Sequence, residues 1–268
     1  MPADVRELLL SAETHQRALV EGDTVGCVLH DFERDFDRDD TARIGALRVA
    51  LTPRLIITTR LHPMRSADIV RQKLGRGAPC PGPAAALDLL IAAITENIGG
   101  ISRSLSVDIQ KAEDAFLEGH HPSTARDLIG VRRRLAQLHR LLDGMRAVFD
   151  RLEQDEELPE TLLATIEKLS QRLRAIDADI VGVLGQLRLL RDELDIQAAQ
   201  RTNQNLYILS IMTALMLPAT LVTGIFGMNT GGLPFAGSSL GTLDATILAG
   251  GAAAATYMFL RWLGFMQR

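Results

Sequence analysis

The stretch Leu206 to Phe226, LYILSIMTALMLPATLVTGIF, runs 21 residues without a charge, about the number a helix needs to cross a hydrocarbon core of ~30 Å. A segment of that kind commits the chain to a bilayer. It is not uniformly apolar, however. Alternate steps of three and four residues connect Asn203, Leu206, Ser210, Thr213, Leu217, Thr220 and Gly224. That 3.5-residue repeat is the seam of helices packed side by side. Hydroxyls on a shared seam can line a wet path. Taken one at a time, Ser210, Thr213 and Thr220 can equally bond back to carbonyls of their own helix. One helix cannot enclose a pore, so a seam of this kind calls for several copies around one axis.

Charge is unevenly placed along the 268 residues. Between Arg201 and Arg261 the only charged residue is Asp244, and a second apolar run extends from about Leu243 to Leu263. Its Gly250-Gly251 and Ala252 to Ala255 give a small-residue face that lets helix backbones approach in lipid. Lys and Arg flank the pair of runs and are absent between them, which predicts both termini on the cytoplasmic side. Met1-Pro2-Ala3-Asp4 lacks the basic start and apolar core of a signal peptide. Acidic and basic residues are interleaved elsewhere, with a net charge of −4, so no nucleic-acid partner is expected.

The remainder predicts an α+β region over 1–82, a helical stalk or funnel over 83–200, and a two-helix membrane region over 201–268 with an outer loop at 227–242. Val25 to Phe32, Leu47 to Leu51 and Leu55 to Thr59 have the composition of strands. Thr52-Pro53 suits a hairpin turn, and Ser66 is placed to cap a short helix ending at Gly75 and Gly77. Ala78-Pro79-Cys80-Pro81-Gly82-Pro83 breaks the chain. Helices are then expected from about Ala84 to Glu118, from Thr124, which forms a capping box with Asp127, to Glu153, and from about residue 160 without interruption into the membrane. The 67 residues to Phe226 would span roughly 100 Å. Gly182 and Gly185 are plausible bending points in this rod.

No catalytic constellation or metal-ligand spacing appears, so an enzyme is not expected. Cys27 and Cys80 are expected to be reduced packing residues. His30-Asp31 with Asp35, Asp37, Asp39 and Asp40 reads as a solvated loop, with a regulatory cation site as the alternative. Asp244 is expected as a helix N-cap. Direct zinc ligation calls for imidazole or thiolate, and none lies between Asn203 and Asn229. Magnesium is often held through its waters. A ring of Asn229 amides would therefore suit a hydrated dication, without choosing the metal.

Gly227-Met228-Asn229, set between two hydrophobic runs at the C-terminal end, resembles the signature of the CorA-type divalent cation transporters. The longer string Leu217-Pro218, Thr223-Gly224, Gly227-Met228-Asn229, Gly231-Gly232, Pro234 is similar to the ZntB branch, associated with zinc. Thr230-Gly231-Gly232 stands where magnesium-associated members more often carry Met-Pro-Glu. The resemblance implies an α+β cytoplasmic domain on a long helical funnel, two C-terminal transmembrane helices, and a homo-pentamer in the inner membrane. Zn2+ or Mg2+ would be cargo, with no cofactor. Gly227, Met228 and Asn229 would form the selectivity filter, and Asn203, Leu206, Ser210, Thr213, Leu217, Thr220 and Gly224 would line the pore. Leu206 and Leu217 would be apolar constrictions, although Leu217 departs from the methionine common in CorA. Asp192 falls where a cytoplasmic acidic ring would form and is equally a solvated flank in Arg191-Asp192-Glu193. The rival expectation is a membrane-anchored coiled-coil sensor or adaptor without transport activity.

Overall fold

The computed structural model describes residues 1–34, 43–118, 124–228 and 241–263, with the side chains of 124–127 outside the description. The chain divides into two compact units, Met1–Arg191 and Asp192–Arg268.

The first unit is built on a four-stranded antiparallel sheet in chain order: β1 (Arg17–Glu21), β2 (Thr24–Phe32), β3 (Ile44–Leu51) and β4 (Ile56–Arg60). Gly22, with φ of 58°, opens the two-residue turn that pairs Glu21 with Thr24, a left-handed conformation that glycine adopts without a Cβ clash. The β3–β4 hairpin turns at Thr52, whose N–H donates to the Leu55 carbonyl at 2.8 Å. The Thr52 Oγ1 accepts from the Leu55 N–H at 2.9 Å, so this threonine closes the turn from both sides. β2 and β3 are the inner strands and are buried almost throughout.

Helix α1 (Ala3–Leu10) and strand β1 were not anticipated. α1 covers one face of the sheet, where Val5, Leu8 and Leu9 pack with Val28, Ala46 and Ala50 and with half-buried Leu19 and Ile57. The same face buries Arg48, only 2% exposed, whose Nη2 donates to the Glu13 carbonyl at 2.9 Å in the segment that follows α1. A buried cation is costly unless it is hydrogen-bonded, so this bond pins that segment to the sheet.

Helix α2 (Arg65–Gly75) begins differently from the expectation. Its N-cap position is Met64, which has no polar side chain to offer. Ser66 lies inside the first turn and is fully buried. Its main-chain N–H donates to Asp31 Oδ2 at 3.1 Å, and its hydroxyl donates to the same oxygen. A carboxylate on β2 thus caps the helix from 35 residues away, where a local serine had been expected. Burial pushes the Asp31 carboxyl up from its usual range, with the two Ser66 bonds pulling the other way.

The expected loop site at His30-Asp31 is corrected by the same geometry. Both residues are on β2, and neighbours on a strand point to opposite faces. With Asp31 turned to α2, His30 Nε2–H donates to the Thr14 carbonyl at 2.7 Å and Nδ1 accepts from Gln16 at 3.1 Å. Asp35, Asp37, Asp39 and Asp40 lie outside the described residues. Cys27 is a packing residue whose thiol is pushed up to about 12 by burial. Cys80 is free but exposed, so it does not pack.

Helices α3 (Pro83–Leu117), α4 (Thr124–Glu153) and the first half of α5 (Glu160–Gly227) complete the unit. Pro83 occupies the first turn of α3, where its missing N–H costs nothing. α3 continues unbroken through Gly99-Gly100, and α5 through Gly182, Gly185 and Pro218. The capping-box side chains at Thr124 and Asp127 lie outside the description. Leu162, Ile166, Leu169, Leu173, Ile180 and Leu187 of α5 are buried at the spacing of a packed helix seam.

Candidate functional site

The second unit contains the end of α5 and α6 (Gly241–Trp262). Among the described residues three helices are long and apolar enough to cross a membrane: α3, α5 and α6. They differ in what their apolar windows already touch. In α3, 44% of the window is buried inside the protein, against none in α5 and 6% in α6. The apolar face of α3 is therefore accounted for by the core of its own unit. The windows of α5 and α6 are bare in the isolated chain and require lipid or other helices.

On α5 the residues of the 3.5-residue stripe, Asn203, Leu206, Ser210, Thr213, Leu217, Thr220 and Gly224, are all exposed. At 100° per residue, half-buried Ile211, Leu215, Pro218, Val222 and Phe226 fall on roughly the opposite side of the helix. The stripe therefore lies on the more exposed side of a helix whose apolar window has no buried residue. Ser210 donates to the Leu206 carbonyl at 2.8 Å, Thr213 to Leu209 at 2.8 Å and Thr220 to Met216 at 2.9 Å. Back-bonding satisfies each hydroxyl hydrogen and leaves the oxygen lone pairs on the stripe. The stripe is therefore a row of acceptors interrupted by the bare side chains of Leu206, 55% exposed, and Leu217, 68% exposed.

Gly227 closes α5, and the Met228 N–H donates to the Ile225 carbonyl at 3.2 Å. Asn229 lies outside the described residues. Asp192 is exposed on α5. Asp244 is half-buried within the first turn of α6, and does not precede the helix as an N-cap would. There its charge is favourable to the helix dipole. Among the described residues no three His, Cys, Asp or Glu side chains come together as a metal site.

Sequence reasoning missed the polar clamp on the first half of α5. Asp88 of α3 accepts from Lys168 at 2.9 Å and Arg172 at 2.8 Å. On α4, Asp150 accepts from Ser170 at 3.0 Å and from Arg174 at 2.6 Å. Asp177 of α5, 5% exposed, lies between His139 Nδ1 at 2.7 Å and Arg146 at 2.5 Å. Burial alone would raise the Asp88 carboxyl, but the bonds and charges of Lys168 and Arg172 outweigh it and hold it below its usual range. The bond from Arg174, joined by that from Ser170, does the same for Asp150. The local signals were Lys168 with Arg172 and Ser170 with Arg174, each pair four residues apart on one helix face, which do not name their partners.

An antiparallel sheet with packed helices, a very long helix, and apolar helical windows left bare define an α+β protein of the CorA fold. The solved structure of the full-length CmaX protein is similar at a TM-score of 0.75 and 23% identity, covering 98% of this chain and 81% of that one. The complete CorA magnesium transporter from Methanocaldococcus jannaschii is similar at a TM-score of 0.75 and 19% identity, covering 97% and 83%. Among curated relatives, the zinc transport protein ZntB of Yersinia pseudotuberculosis serotype O:1b (strain IP 31758) is 28% identical over 239 residues, 87% of this chain and 72% of that protein. The chain belongs to the family of CorA-like Mg2+ transporter proteins, whose model matches residues 1–263. It is thereby a member of a divalent-cation transporter family and not of an enzyme family.

Proposed function

We propose that the chain is one subunit of a homo-pentameric inner-membrane transporter that passes a hydrated divalent cation along the α5 stripe, zinc in preference to magnesium. The observation that carries this reading is the combination on α5: an apolar window with no buried residue, bearing one face of back-bonded hydroxyls whose oxygens stay exposed. An anchor helix facing lipid has no use for such acceptors. Around a common axis they would accept hydrogen bonds from the waters of a hydrated ion, the form in which magnesium is often held. Rings of Leu206 and Leu217 would close the path by making water unfavourable there. Gly227, Met228 and Asn229 would form the mouth, with the uncharged Asn229 amide holding the hydrated ion loosely enough to release it. Asp192 would add a ring of negative charge at the cytoplasmic end.

In this reading α5 and α6 span the bilayer. Both termini are cytoplasmic, because Arg201 and Arg261 flank a region that carries no Lys or Arg. Zinc is favoured on the name of the ZntB relatives and magnesium kept second on that of the family. The test is flux into liposomes containing a fluorescent zinc or magnesium indicator, with the copy number measured by light scattering in detergent. Wild type should transport as a pentamer, and Asn229→Leu should assemble normally and lose flux. A monomer that transports, or an Asn229→Leu protein with wild-type flux, would overturn the reading.

A further inference from the structure

The connection between α1 and β1, residues 11–16, is tied down from three elements. Arg48 of β3 donates to the Glu13 carbonyl at 2.9 Å, His30 Nε2 of β2 to the Thr14 carbonyl at 2.7 Å, and Gln16 Nε2 to the Leu141 carbonyl of α4 at 3.2 Å. The same Gln16 nitrogen lies 3.1 Å from His30 Nδ1. Gly144 makes room for it, since a Cβ there would fall inside contact distance of the Gln16 amide.

Carbonyl oxygens only accept, and the two at Thr14 and Leu141 therefore place the hydrogens. The Leu141 oxygen needs the amide nitrogen of Gln16 turned toward it, and the Thr14 oxygen needs a hydrogen on Nε2 of the ring. Nδ1 must then accept from Gln16, which only the neutral imidazole can do. One amide nitrogen thus serves two acceptors, while Gln16 Oε1 is buried without a partner. A proton on Nδ1 reverses the arrangement. The ring N–H would face the amide N–H, and turning the amide over gives Oε1 its donor but sets it oxygen to oxygen against Leu141. The bond to α4 and a protonated ring exclude each other.

We infer that His30 and Gln16 form a pH-sensitive latch, which holds the 11–16 connection to α4 while His30 is neutral and releases it when His30 takes up a proton. Histidine makes that change between pH 8 and 5, so the latch is closed at the upper end of this range and lost as pH falls through it. Arg48 lies diagonally from His30 on the same face of the sheet, because Val28 pairs with Arg48 and His30 with Ala46. A proton on His30 would set a second cation beside it. On the connection, Glu13 and Arg17 bond each other and His15 is exposed, as are Arg140 and Asp143 on α4. Helix α1 turns only Val5, Leu8 and Leu9 inward, and Asp31 points to the opposite face of the sheet. The acidic residues between β2 and β3 lie outside the described residues; the carbonyls of Thr14 and Leu141 fix the direction of both bonds whatever charge stands there. The latch lies wholly in the first unit and does not depend on the transport reading.

The experiment is hydrogen–deuterium exchange on the full-length protein in detergent at pH 7.5 and 5.5, with labelling times scaled to the chemical exchange rate at each pH. Relative to the rest of the first unit, protection of 11–17 should fall about fivefold or more at the lower pH, the worth of one hydrogen bond. His30→Gln keeps a donor for the Thr14 carbonyl and takes up no proton, so its protection should be equal at both. Gln16→Leu removes the tie to α4, and 11–17 should exchange fast at both. His15→Gln, on the same connection, is the control and should respond as wild type. Nitrogen-15 spectra of histidine-labelled protein, with the His30 signal identified by its loss in His30→Gln, should show the hydrogen on Nε2 at pH 7.5. Should His30→Gln fail to fold by circular dichroism, Gln16→Leu against wild type carries the test. The inference is overturned if wild type protects 11–17 equally at both pH values, if the response persists in His30→Gln or Gln16→Leu, or if the neutral ring carries its hydrogen on Nδ1.

Discussion

Replacing Gly144 by alanine sets two magnitudes against each other. Gly144 lies in α4, where alanine favours a helix by about 1 kcal/mol over glycine. A Cβ at this position would fall inside contact distance of the Gln16 amide nitrogen and 2.8 Å from its Cδ. The Gln16 side chain is flexible and can leave, but only by giving up its bonds to His30 at 3.1 Å and to the Leu141 carbonyl at 3.2 Å. At about 1 kcal/mol each, these outweigh the helix gain, for a net loss of about 1 kcal/mol. Cys27 reports the result. Its buried thiol, pushed up to about 12, presents no thiolate in the closed protein, so labelling requires the sheet to open. In a Cys80→Ser background Cys27 is the only thiol, and Gly144→Ala should label about fivefold faster. Gly130→Ala on the same helix, where an added Cβ meets nothing within 4 Å, should label more slowly. With Gln16 also changed to alanine, Gly144→Ala should become stabilising. If Gly144→Ala and Gly130→Ala move the rate in the same direction, the clash and the two bonds do not decide the energetics.

Asp31 and Asp88 should pull stability in opposite directions with pH. Asp31 is raised in the fold, so its contribution is fully present below the unfolded value of about 4 and declines as pH rises toward the folded value. Asp88 is lowered, so its contribution is present above about 4 and lost as pH falls through the folded value. Unfolding midpoints from pH 3 to 7 should show Asp31→Asn gaining on wild type as pH rises, and Asp88→Asn losing ground; parallel curves for all three would refute both assignments. In liposomes, Leu206→Ser and Leu217→Ser should each raise basal leak, and unchanged leak in both places the constriction elsewhere.

What was legible in the sequence is what neighbouring residues decide among themselves. The β3–β4 hairpin follows from Thr52-Pro53, because the turn is closed by Thr52 and Leu55. The back-bonded hydroxyls follow from a four-residue spacing that any helix supplies. The cap of α2 was misassigned for the converse reason. Ser66 has the right identity near a helix start, but the acceptor is Asp31, and only the pairing of β2 with its neighbours sets that carboxylate at the helix end. Likewise Asp88, Asp150 and Asp177 read as scattered acids until helix packing sets Lys168, Arg172, Arg174, His139 and Arg146 against them. β1 escaped notice because Arg17 to Glu21 is only five residues long with a single buried position. It is a strand because β2 offers it an edge, and α1 is likewise retained through three buried apolar side chains and no polar side-chain cap. The stripe on α5 belongs to both groups. Its period was visible in one dimension, whereas its greater exposure required knowing that Ile211, Leu215, Pro218, Val222 and Phe226 on the opposite side are half-buried. A row of hydroxyl acceptors on a helix whose apolar window has no buried residue calls for partners, and copies of the same chain are partners that would present the same face to a common axis.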